Sequence, residues 1–254
     1  MVPEKVVEVW HHEKVELCGP ELDHPMASGG STVRLADGRV LLTYAGPANP
    51  HGQPLGTNRV YMRTSGDGGR TWSAEQEIIH HPECNAGGAT ILRDRDGTLW
   101  AAYLGFYASV WDKDINEPDM EKTRSDLWIA RSVDEGETWI DNKMVFRGYT
   151  GATNDFKQAA SGHLIAPFSY VVPKPGRLVS ACVVSADGGA TWTLGDAIDI
   201  GQQGDHAGAI EPVAVELKDG RIWMLIRTNF GHFLQAFSED AGLTWGEPSP
   251  TEIT

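Results

Sequence analysis

The sequence predicts an all-β fold, namely a β-propeller built from four-stranded antiparallel blades. Two observations predict it: one eight-residue motif occurs four times, and a hairpin turn followed by an apolar strand precedes each copy. Self-similarity at a period of roughly 50 residues is typical of repeat architectures, and four short antiparallel strands per repeat are typical of a propeller blade. The 29 glycines and 9 tryptophans fit many tight turns and aromatic packing between repeats.

The repeated motif has the form Ser-x-Asp-x-Gly-x-Thr-Trp and is called the box below. Its copies begin at Ser65, Ser132, Ser185 and Ser238, so successive copies start 67, 53 and 53 residues apart. The Asp can accept hydrogen bonds from backbone N–H groups that follow it, and the Gly supplies the positive φ of a tight turn. The Trp is large enough to fill a gap against a neighbouring repeat. We therefore interpret the boxes as structural turns, and the acidic stretch 134–137 lacks the ligand spacing of a calcium loop.

A hairpin turn precedes each box, with one predicted strand before the turn and two after it. The turn glycines are Gly38, Gly97, Gly162 and Gly220. The strands before the turns are predicted at 31–35, 89–93, 155–159 and 212–217, those after the turns at 40–44, 99–103, 164–168 and 222–226, and those leading into the boxes at 59–63, 126–131, 179–184 and 233–237. Residues after the box Trp supply a fourth strand. The chain is predicted to form a single incomplete domain, residues 1–254, with blades near 24–80, 81–148, 149–200 and 201–250.

The polar segment 111–123 is predicted to be a long loop between the second and third strands of the second blade. It contains five acidic residues and a proline. Long loops on a rigid scaffold often contribute to function, although a solvated acidic excursion is the simpler interpretation.

Composition and charge exclude several classes of protein. The net charge of −14 argues against a nucleic-acid partner, because phosphates require a basic surface. No apolar run is long enough for a membrane span, and the N-terminal residues do not resemble a signal peptide, so a cytoplasmic protein is the default expectation. Cys18, Cys84 and Cys182 lie far apart in the sequence and are expected to be free buried thiols. The oligomeric state is not predicted.

Four boxes of this form, each closing a four-stranded repeat, resemble the Asp boxes of the sialidase (neuraminidase) superfamily. The resemblance extends over nearly the whole chain, and it implies a six-bladed propeller. Only four repeats occur in the 254 residues. Because a propeller must close to avoid bare strand edges, we expect the chain to be truncated at its C-terminus.

Propeller ligands bind over the central channel, near the ends of the innermost strands. Counting nine residues back from each turn glycine aligns these strands and gives Gly29, Gly88, Thr153 and Glu211 as equivalent positions. We expect residues 28–30, 85–88, 153–155 and 205–211 to line the mouth of one funnel. The candidate substrate-binding residues besides Arg227 are His24, Asn85, Asn154, Asp205 and His206. Asp155 is a candidate catalytic acid, with a strand-end cap as its alternative role.

Glu211 and Arg227 form the most specific candidate pair. Glu211 begins the inner strand of the fourth blade and Arg227 ends the next strand, so antiparallel pairing brings them together. The segment 211–227 closely resembles the corresponding sialidase segment. The resemblance implies that Glu211 assists a tyrosine nucleophile and that Arg227 belongs to an arginine triad that binds the substrate carboxylate, for which the planar guanidinium is suited. A structural ion pair at a blade end is the alternative.

Other parts of the sialidase site do not match this sequence. The place of the first triad arginine falls on Ser28, and the loop 45–57, where the family has an aspartate general acid, contains no Asp or Glu. The third arginine and the tyrosine would follow Thr254. His51 in that loop is the candidate alternative acid, because histidine can donate a proton near neutral pH.

The resemblance implies a sialidase-like exo-glycoside hydrolase that cleaves a terminal acidic sugar with retention. Two alternatives remain: a non-catalytic glycan-binding propeller, and a propeller glycosidase or lyase that acts on another acidic sugar with a histidine acid. No metal or organic cofactor is implied. The expected partner is a glycan or a small acidic sugar, with neither nucleic acid nor a membrane.

Overall fold

The computed structural model describes residues 14–17, 27–47 and 53–253. Within these ranges 18 strands form four four-stranded antiparallel sheets and one two-stranded hairpin. Each four-stranded sheet lies inside the range predicted for one blade, and the sheets are therefore called blades 1 to 4. The described residues include no helix that is long and apolar enough to cross a membrane. The prediction of an all-β fold built from four-stranded antiparallel sheets is confirmed.

The strands follow one another in chain order within each blade. Blade 1 contains β1 (Ser28–Arg34), β2 (Val40–Gly46), β3 (Arg59–Ser65) and β4 (Gln76–Ile79). Blade 2 contains β5 (Asn85–Arg93), β6 (Leu99–Ala108), β9 (Arg124–Ser132) and β10 (Ile140–Phe146), and it is interrupted by the hairpin of β7 (Trp111–Asp112) and β8 (Glu117–Pro118). Blade 3 contains β11 (Lys157–Gln158), β12 (Leu164–Val172), β13 (Arg177–Ser185) and β14 (Thr193–Leu194). Blade 4 contains β15 (Ile210–Glu216), β16 (Ile222–Arg227), β17 (Leu234–Ser238) and β18 (Ser249–Pro250).

Two predicted segments differ from the structure. The first strand of blade 3, predicted at 155–159, contains only Lys157–Gln158, and the Asp155 carboxylate accepts a hydrogen bond from the backbone of blade 4. The segment 111–123, predicted to be a loop throughout, contains the short hairpin β7–β8. Both segments contact other blades, and the local sequence pattern does not contain these contacts.

The boxes form the turns that their sequence predicts. In blade 3 the Ser185 hydroxyl donates to Asp187 Oδ1 over 2.8 Å, and the Thr191 N–H and hydroxyl donate to the two carboxylate oxygens over 2.9 and 2.6 Å. Gly189 N–H donates to Ser185 Oγ over 2.8 Å. The other three boxes contain the same four bonds. Each aspartate therefore accepts several hydrogen bonds in its charged form.

The box glycines also pack against the preceding blade. In three boxes a Cβ added at the glycine would meet a side chain of that blade, and at Gly189 it would overlap the Trp100 ring, where no side chain fits. The contacts are Gly136 with Leu41, Gly189 with Trp100 and Gly242 with Cys182. Each box thus closes its own turn and fits against its neighbour.

The core lies between the blades. Each strand presents one set of alternate residues to the blade before it and another set to the blade after it, which buries both faces of a central blade. Between blades 2 and 3, for example, Leu127 and Ile129 pack with Phe168 and Val183. The free thiols of Cys84 and Cys182 are buried as predicted, and burial raises the pKa of both; Cys18 lies outside the described residues.

Hydrogen bonds also join successive blades near their innermost strands. Thr43 Oγ1 donates to Ala89 O over 3.0 Å between blades 1 and 2, and Thr90 Oγ1 donates to Thr153 O over 2.6 Å between blades 2 and 3. The Ala214 N–H of blade 4 donates to Asp155 Oδ2 over 2.9 Å. The inner ends of the four blades are therefore held at one hub.

Substitution of Gly189 by alanine will test the packing of the box against the neighbouring blade. The backbone is left-handed at both Gly188 (φ 67°) and Gly189 (φ 83°), so Gly188→Ala and Gly189→Ala share a conformational cost of about 1–2 kcal/mol. Only the Gly189 methyl would overlap the Trp100 ring, while the space around Gly188 is open. We expect urea unfolding to show Gly189→Ala to be less stable than Gly188→Ala by a further ~1–3 kcal/mol. Equal losses would contradict the packing role.

The boxes also predict how stability depends on pH. Hydrogen bonds from Ser and Thr hydroxyls and from backbone N–H groups lower the pKa of Asp67, Asp134 and Asp187 from 3.8 to about 2. The folded-state pKa is below the unfolded one, so this stabilisation is present above pH ~4 and is lost as pH falls towards 2. We expect the melting temperature to fall steeply between pH 4 and 2 and less steeply in the variant Asp187→Asn, which lacks one titrating group. A melting temperature that is constant over this range would contradict the assignment.

Candidate functional site

A cavity of about 430 Å³ lies where the inner ends of the four blades meet. Its lining includes ten residues from the four segments predicted to form a funnel: Ser28, Gly29, Gly87, Gly88, Thr153, Asn154, Asp205, His206, Ile210 and Glu211. The nine-residue count from each turn glycine thus located one shared cavity. Among the predicted substrate-binding residues, Asn154, Asp205 and His206 line it.

Glu211 and Arg227 meet as the sequence predicts. Arg227 Nη1 donates to Glu211 Oε2 over 2.8 Å, and the backbone pairs Ile210 with Arg227 across β15 and β16. The side chains are 38% exposed for Glu211 and 49% exposed for Arg227, so solvent reaches both groups. Glu211 lines the cavity, and Arg227 is its direct partner. The expected contact is confirmed, while the catalytic and binding roles of the two residues stay predictions.

The backbone at Glu211 is left-handed, with φ 50°. Gly29 and Gly88, the equivalent residues of blades 1 and 2, have φ 65° and 53°, and the pairing of β1, β5 and β15 with the next strand is irregular at these points. Glycine adopts this conformation without strain, whereas a residue with a Cβ loses about 1–2 kcal/mol. Blade 4 therefore retains a strained glutamate where two other blades have glycine, and strain of this kind is concentrated at functional sites.

Asp205 and His206 form a second pair in the cavity. His206 Nδ1 lies 2.9 Å from Asp205 Oδ1, and the His206 backbone is left-handed, with φ 61°. The His206 carbonyl accepts a hydrogen bond from Asn229 Nδ2 over 2.9 Å. Asn229 follows directly after β16, so the turn beside Arg227 also fixes the backbone of His206.

The hairpin β7–β8 of blade 2 lies against the tip of blade 3. The Glu117 carboxylate accepts hydrogen bonds from the N–H groups of Lys174 and Gly176 over 3.0 and 2.9 Å. A Cβ added at Gly176 would lie 2.5 Å from Pro118 Cδ, so the two hairpins are in close contact. The acidic excursion is therefore a bridge between two blades.

The same hairpin contacts the segment that precedes β15. Gln203 Nε2 donates to Ile115 O over 3.1 Å, and Gly204 N–H donates to Gly176 O over 2.7 Å. Gly208 N–H donates to Gln202 Oε1 over 2.9 Å within the segment. These bonds hold the loop that presents Asp205 and His206 to the cavity.

Two predicted site residues have other surroundings. Asn85 is fully buried, and its Oδ1 accepts hydrogen bonds from the N–H groups of Thr57 and Asn58, so it holds the end of the loop between β2 and β3 of blade 1. Asp155 binds Ala214 N–H, and its Oδ1 lies 2.8 Å from Lys157 Nζ. It lines a separate groove of about 270 Å³ between blades 3 and 4, a position that fits the alternative role as a cap. Neither residue is among those that line the central cavity.

Two predicted histidines, His24 and His51, lie outside the described residues, and their roles stay predictions. Within the described ranges, no group of three or more His, Cys, Asp or Glu side chains is arranged to hold a metal ion.

Several residues that line the cavity are not among those predicted from the sequence. They lie in blades 2 and 3 and are Leu104, Phe106, Ser125, Tyr149, Thr150, Gly151, Ala152, Ser169 and Leu178. The sequence does contain a signal for some of them. The predicted lining segment of blade 4 begins at residue 205, six residues before Glu211, whereas that of blade 3 begins at Thr153 itself. The equivalent segment of blade 3 would begin at residue 147 and would include Tyr149 and Thr150.

The strain at Glu211 can be measured by comparing two substitutions. Glycine in a strand is normally less stable than alanine by ~0.5–1 kcal/mol. At φ 50° we expect the reverse, with Glu211→Gly more stable than Glu211→Ala by about 1 kcal/mol in urea unfolding. Both variants lose the contact with Arg227, so their difference reports the backbone alone.

The matched control for this comparison is Glu216, in the same strand, which is not among the residues with positive φ. There we expect Glu216→Gly to be less stable than Glu216→Ala. The same order at both positions would show that Glu211 is not strained.

Comparison with known proteins agrees with this architecture. The BNR repeat-like domain family matches residues 56–254. A curated "Sialidase" from Micromonospora viridifaciens is 28% identical over 235 residues, covering 83% of this chain and 34% of that protein. The chain thus spans about a third of the length of this relative.

Several solved structures have the same fold. A Hadza microbial sialidase has a TM-score of 0.69 at 18% identity, covering 91% of this chain and 48% of that one. The NanB sialidase of Streptococcus pneumoniae has a TM-score of 0.64 at 16% identity, covering 90% and 52%. A protein of unknown function from Dyadobacter fermentans has a TM-score of 0.69 at 18% identity, covering 90% and 70%. The match to residues 56–254 and the four Asp-box blades show that the chain belongs to the BNR repeat-like domain family, within the sialidase superfamily of β-propellers.

Proposed function

We propose that this protein is a sialidase-like exo-glycoside hydrolase that removes a terminal acidic sugar from glycans. The observation that carries the proposal is the contact between Glu211 and Arg227 at a cavity shared by all four blades. An acid and a guanidinium at this place can bind an acidic sugar and act on its anomeric carbon.

Arg227 is suited to bind the carboxylate of the sugar. A guanidinium has five N–H donors in a fixed plane, and the hydrogen bond to Glu211 uses one of them. Within the described part of the chain the other donors remain available to bind a carboxylate in the bidentate way that favours arginine over lysine. The contact with Glu211 also restricts the side chain before the ligand binds, which reduces the entropy lost on binding.

Glu211 is suited to accept a proton from the nucleophile. In the family scheme a glutamate assists a tyrosine, which attacks the anomeric carbon while an acid protonates the leaving oxygen. The transition state of glycoside cleavage resembles an oxocarbenium ion and therefore carries positive charge. The carboxylates of Asp205 and Glu211, which both line the cavity, would stabilise this charge.

The similarity to sialidases supports the same reaction class. One curated relative and several solved structures carry that name, although the chain covers only part of each. Fold alone does not determine function, so the proposal depends on the site.

A non-catalytic glycan-binding propeller is the second candidate. The lining of the cavity in the described part of the chain contains two acids and a histidine but neither lysine nor arginine. The negative charge of an acidic sugar in this cavity would therefore have to be neutralised by Arg227. This candidate predicts that the protein binds sugars without turnover, so a hydrolysis assay separates the two functions.

A panel of aryl glycosides with acidic and neutral sugars, sialosides and uronides included, tests the proposal. We expect Arg227→Ala to lower kcat/KM for the acidic substrate by on the order of 10- to 100-fold, because a charge-assisted hydrogen bond is lost. Binding of neutral sugars, measured by calorimetry, should change little.

The matched control is Arg221→Ala, which removes another exposed arginine of the same blade. Arg221 pairs with Asp219 at the hairpin turn, away from the cavity lining. We expect this variant to behave like the wild type. Equal losses for acidic and neutral sugars in Arg227→Ala would show that Arg227 does not bind the carboxylate.

A further inference from the structure

We propose that His206, oriented by Asp205, is the general acid that protonates the leaving oxygen. This inference rests on the proposed hydrolysis and assigns the general acid, a role that the sialidase pattern leaves open because the loop 45–57 contains neither Asp nor Glu.

The two side chains lie close together at the cavity. Nδ1 of His206 is 2.9 Å from Oδ1 of Asp205, which leaves Nε2, on the other side of the ring, available to a ligand. Nε2 is therefore the ring nitrogen placed to exchange a proton with a ligand.

The position of His206 suits a leaving group. The side chain is 76% exposed and lines the same cavity as Glu211, so it lies where the cavity opens to solvent. In an exo-acting enzyme the terminal sugar enters the cavity and the rest of the glycan remains outside. The oxygen that leaves is then at the mouth, which is where a proton donor is required.

The other titratable groups of the described lining are less suited to this role. Burial raises the pKa of the Tyr149 phenol, so it holds its proton at neutral pH. The carboxylate of Glu211 accepts a hydrogen bond from Arg227, and that of Asp205 is engaged with His206. Nε2 of His206 is thus the group in the described part of the cavity best able to donate a proton.

Contacts from outside the loop hold His206 in place. Asn229 donates to its carbonyl over 2.9 Å, and Gln203, three residues earlier, donates to Ile115 of the hairpin β7–β8. The left-handed backbone of His206 is strained, and these contacts offset that strain. A catalytic group held by such surroundings needs little reorganisation when the substrate binds.

The chemical step balances with water as the second reactant. As the bond between the anomeric carbon and the leaving oxygen breaks, its electron pair stays on that oxygen, which takes the proton from Nε2 and departs as an alcohol. The nucleophilic hydroxyl bonds to the anomeric carbon and gives its proton to Glu211. In the second half, water adds to that carbon and gives one proton to Nε2, the nucleophile leaves and recovers its proton from Glu211, and the enzyme returns to its first state.

The test compares two substrates that differ in their need for an acid. A 4-nitrophenyl glycoside has a leaving group that departs without protonation, whereas a methyl glycoside of the same sugar requires it. The probes are the two α-glycosides of N-acetylneuraminic acid and the two β-glycosides of glucuronic acid. In His206→Gln we expect kcat/KM for the methyl glycoside to fall by about 100-fold or more, as is usual for loss of a general acid, and that for the 4-nitrophenyl glycoside by less than about 10-fold.

Two further variants complete the experiment. Asp205→Asn keeps the histidine but removes its charged partner, so we expect a smaller loss that is again confined to the methyl glycoside. His163→Gln is the matched control, because His163 lies in the hairpin turn of blade 3 and contacts Ser161. We expect it to match the wild type on both substrates, and melting temperatures will show that all three variants fold.

The outcomes separate this inference from the proposed function. If the wild type cleaves both glycosides and His206→Gln keeps the wild-type ratio between them, His206 is not the acid and the proposed hydrolysis stands. Equal losses on both substrates show a purely structural role and overturn the inference in the same way. A wild type that cleaves neither sugar derivative overturns the proposed function together with the inference.

Discussion

The close approach of the innermost strands at the hub is the constraint on which the rest of the structure depends. Each blade brings its first strand to the same axis, and there is little space between them. A Cβ at Gly29 would overlap Gly88, and the threonine hydroxyls of one blade donate to the carbonyls of the next. Small residues and short hydrogen bonds are what such packing permits. A large or charged side chain at the hub, such as that of Glu211, therefore indicates a functional rather than a packing role.

The boxes allow neighbouring blades to pack closely, as the small residues do at the hub. An aspartate that accepts three hydrogen bonds closes each turn, and the glycine of the turn then fits against the blade before it, as Gly189 fits against Trp100. Because these interactions are local, each box folds the same way in every blade. The rigid frame that results leaves the channel end of each blade free to vary, which is where the four blades differ most.

Local sequence patterns made most of the fold predictable. The features that could not be predicted depend on contacts between residues far apart in the sequence. The count from the turn glycine works because a hairpin fixes the register between its strands, so Gly29, Gly88 and Glu211 became equivalent with no knowledge of the blades around them. The same count placed Asp155 at the funnel, but its carboxylate binds the backbone of Ala214, 59 residues away. The bridge from Glu117 to the tip of blade 3 spans a similar separation. No spacing in the sequence encodes which partner such a side chain will find.

The turn after β16 connects the two halves of the candidate site. Arg227 ends the strand and contacts Glu211, and Asn229, two residues later, holds the carbonyl of His206. The Thr228 hydroxyl donates to His232 O and accepts from Phe230 N–H, so the turn is itself well defined. The group that would bind the sugar carboxylate and the group that would protonate the leaving oxygen are thus positioned by one short segment. Since a displacement of about 1 Å is costly in catalysis, a shared support keeps the distance between these two ends of a substrate constant.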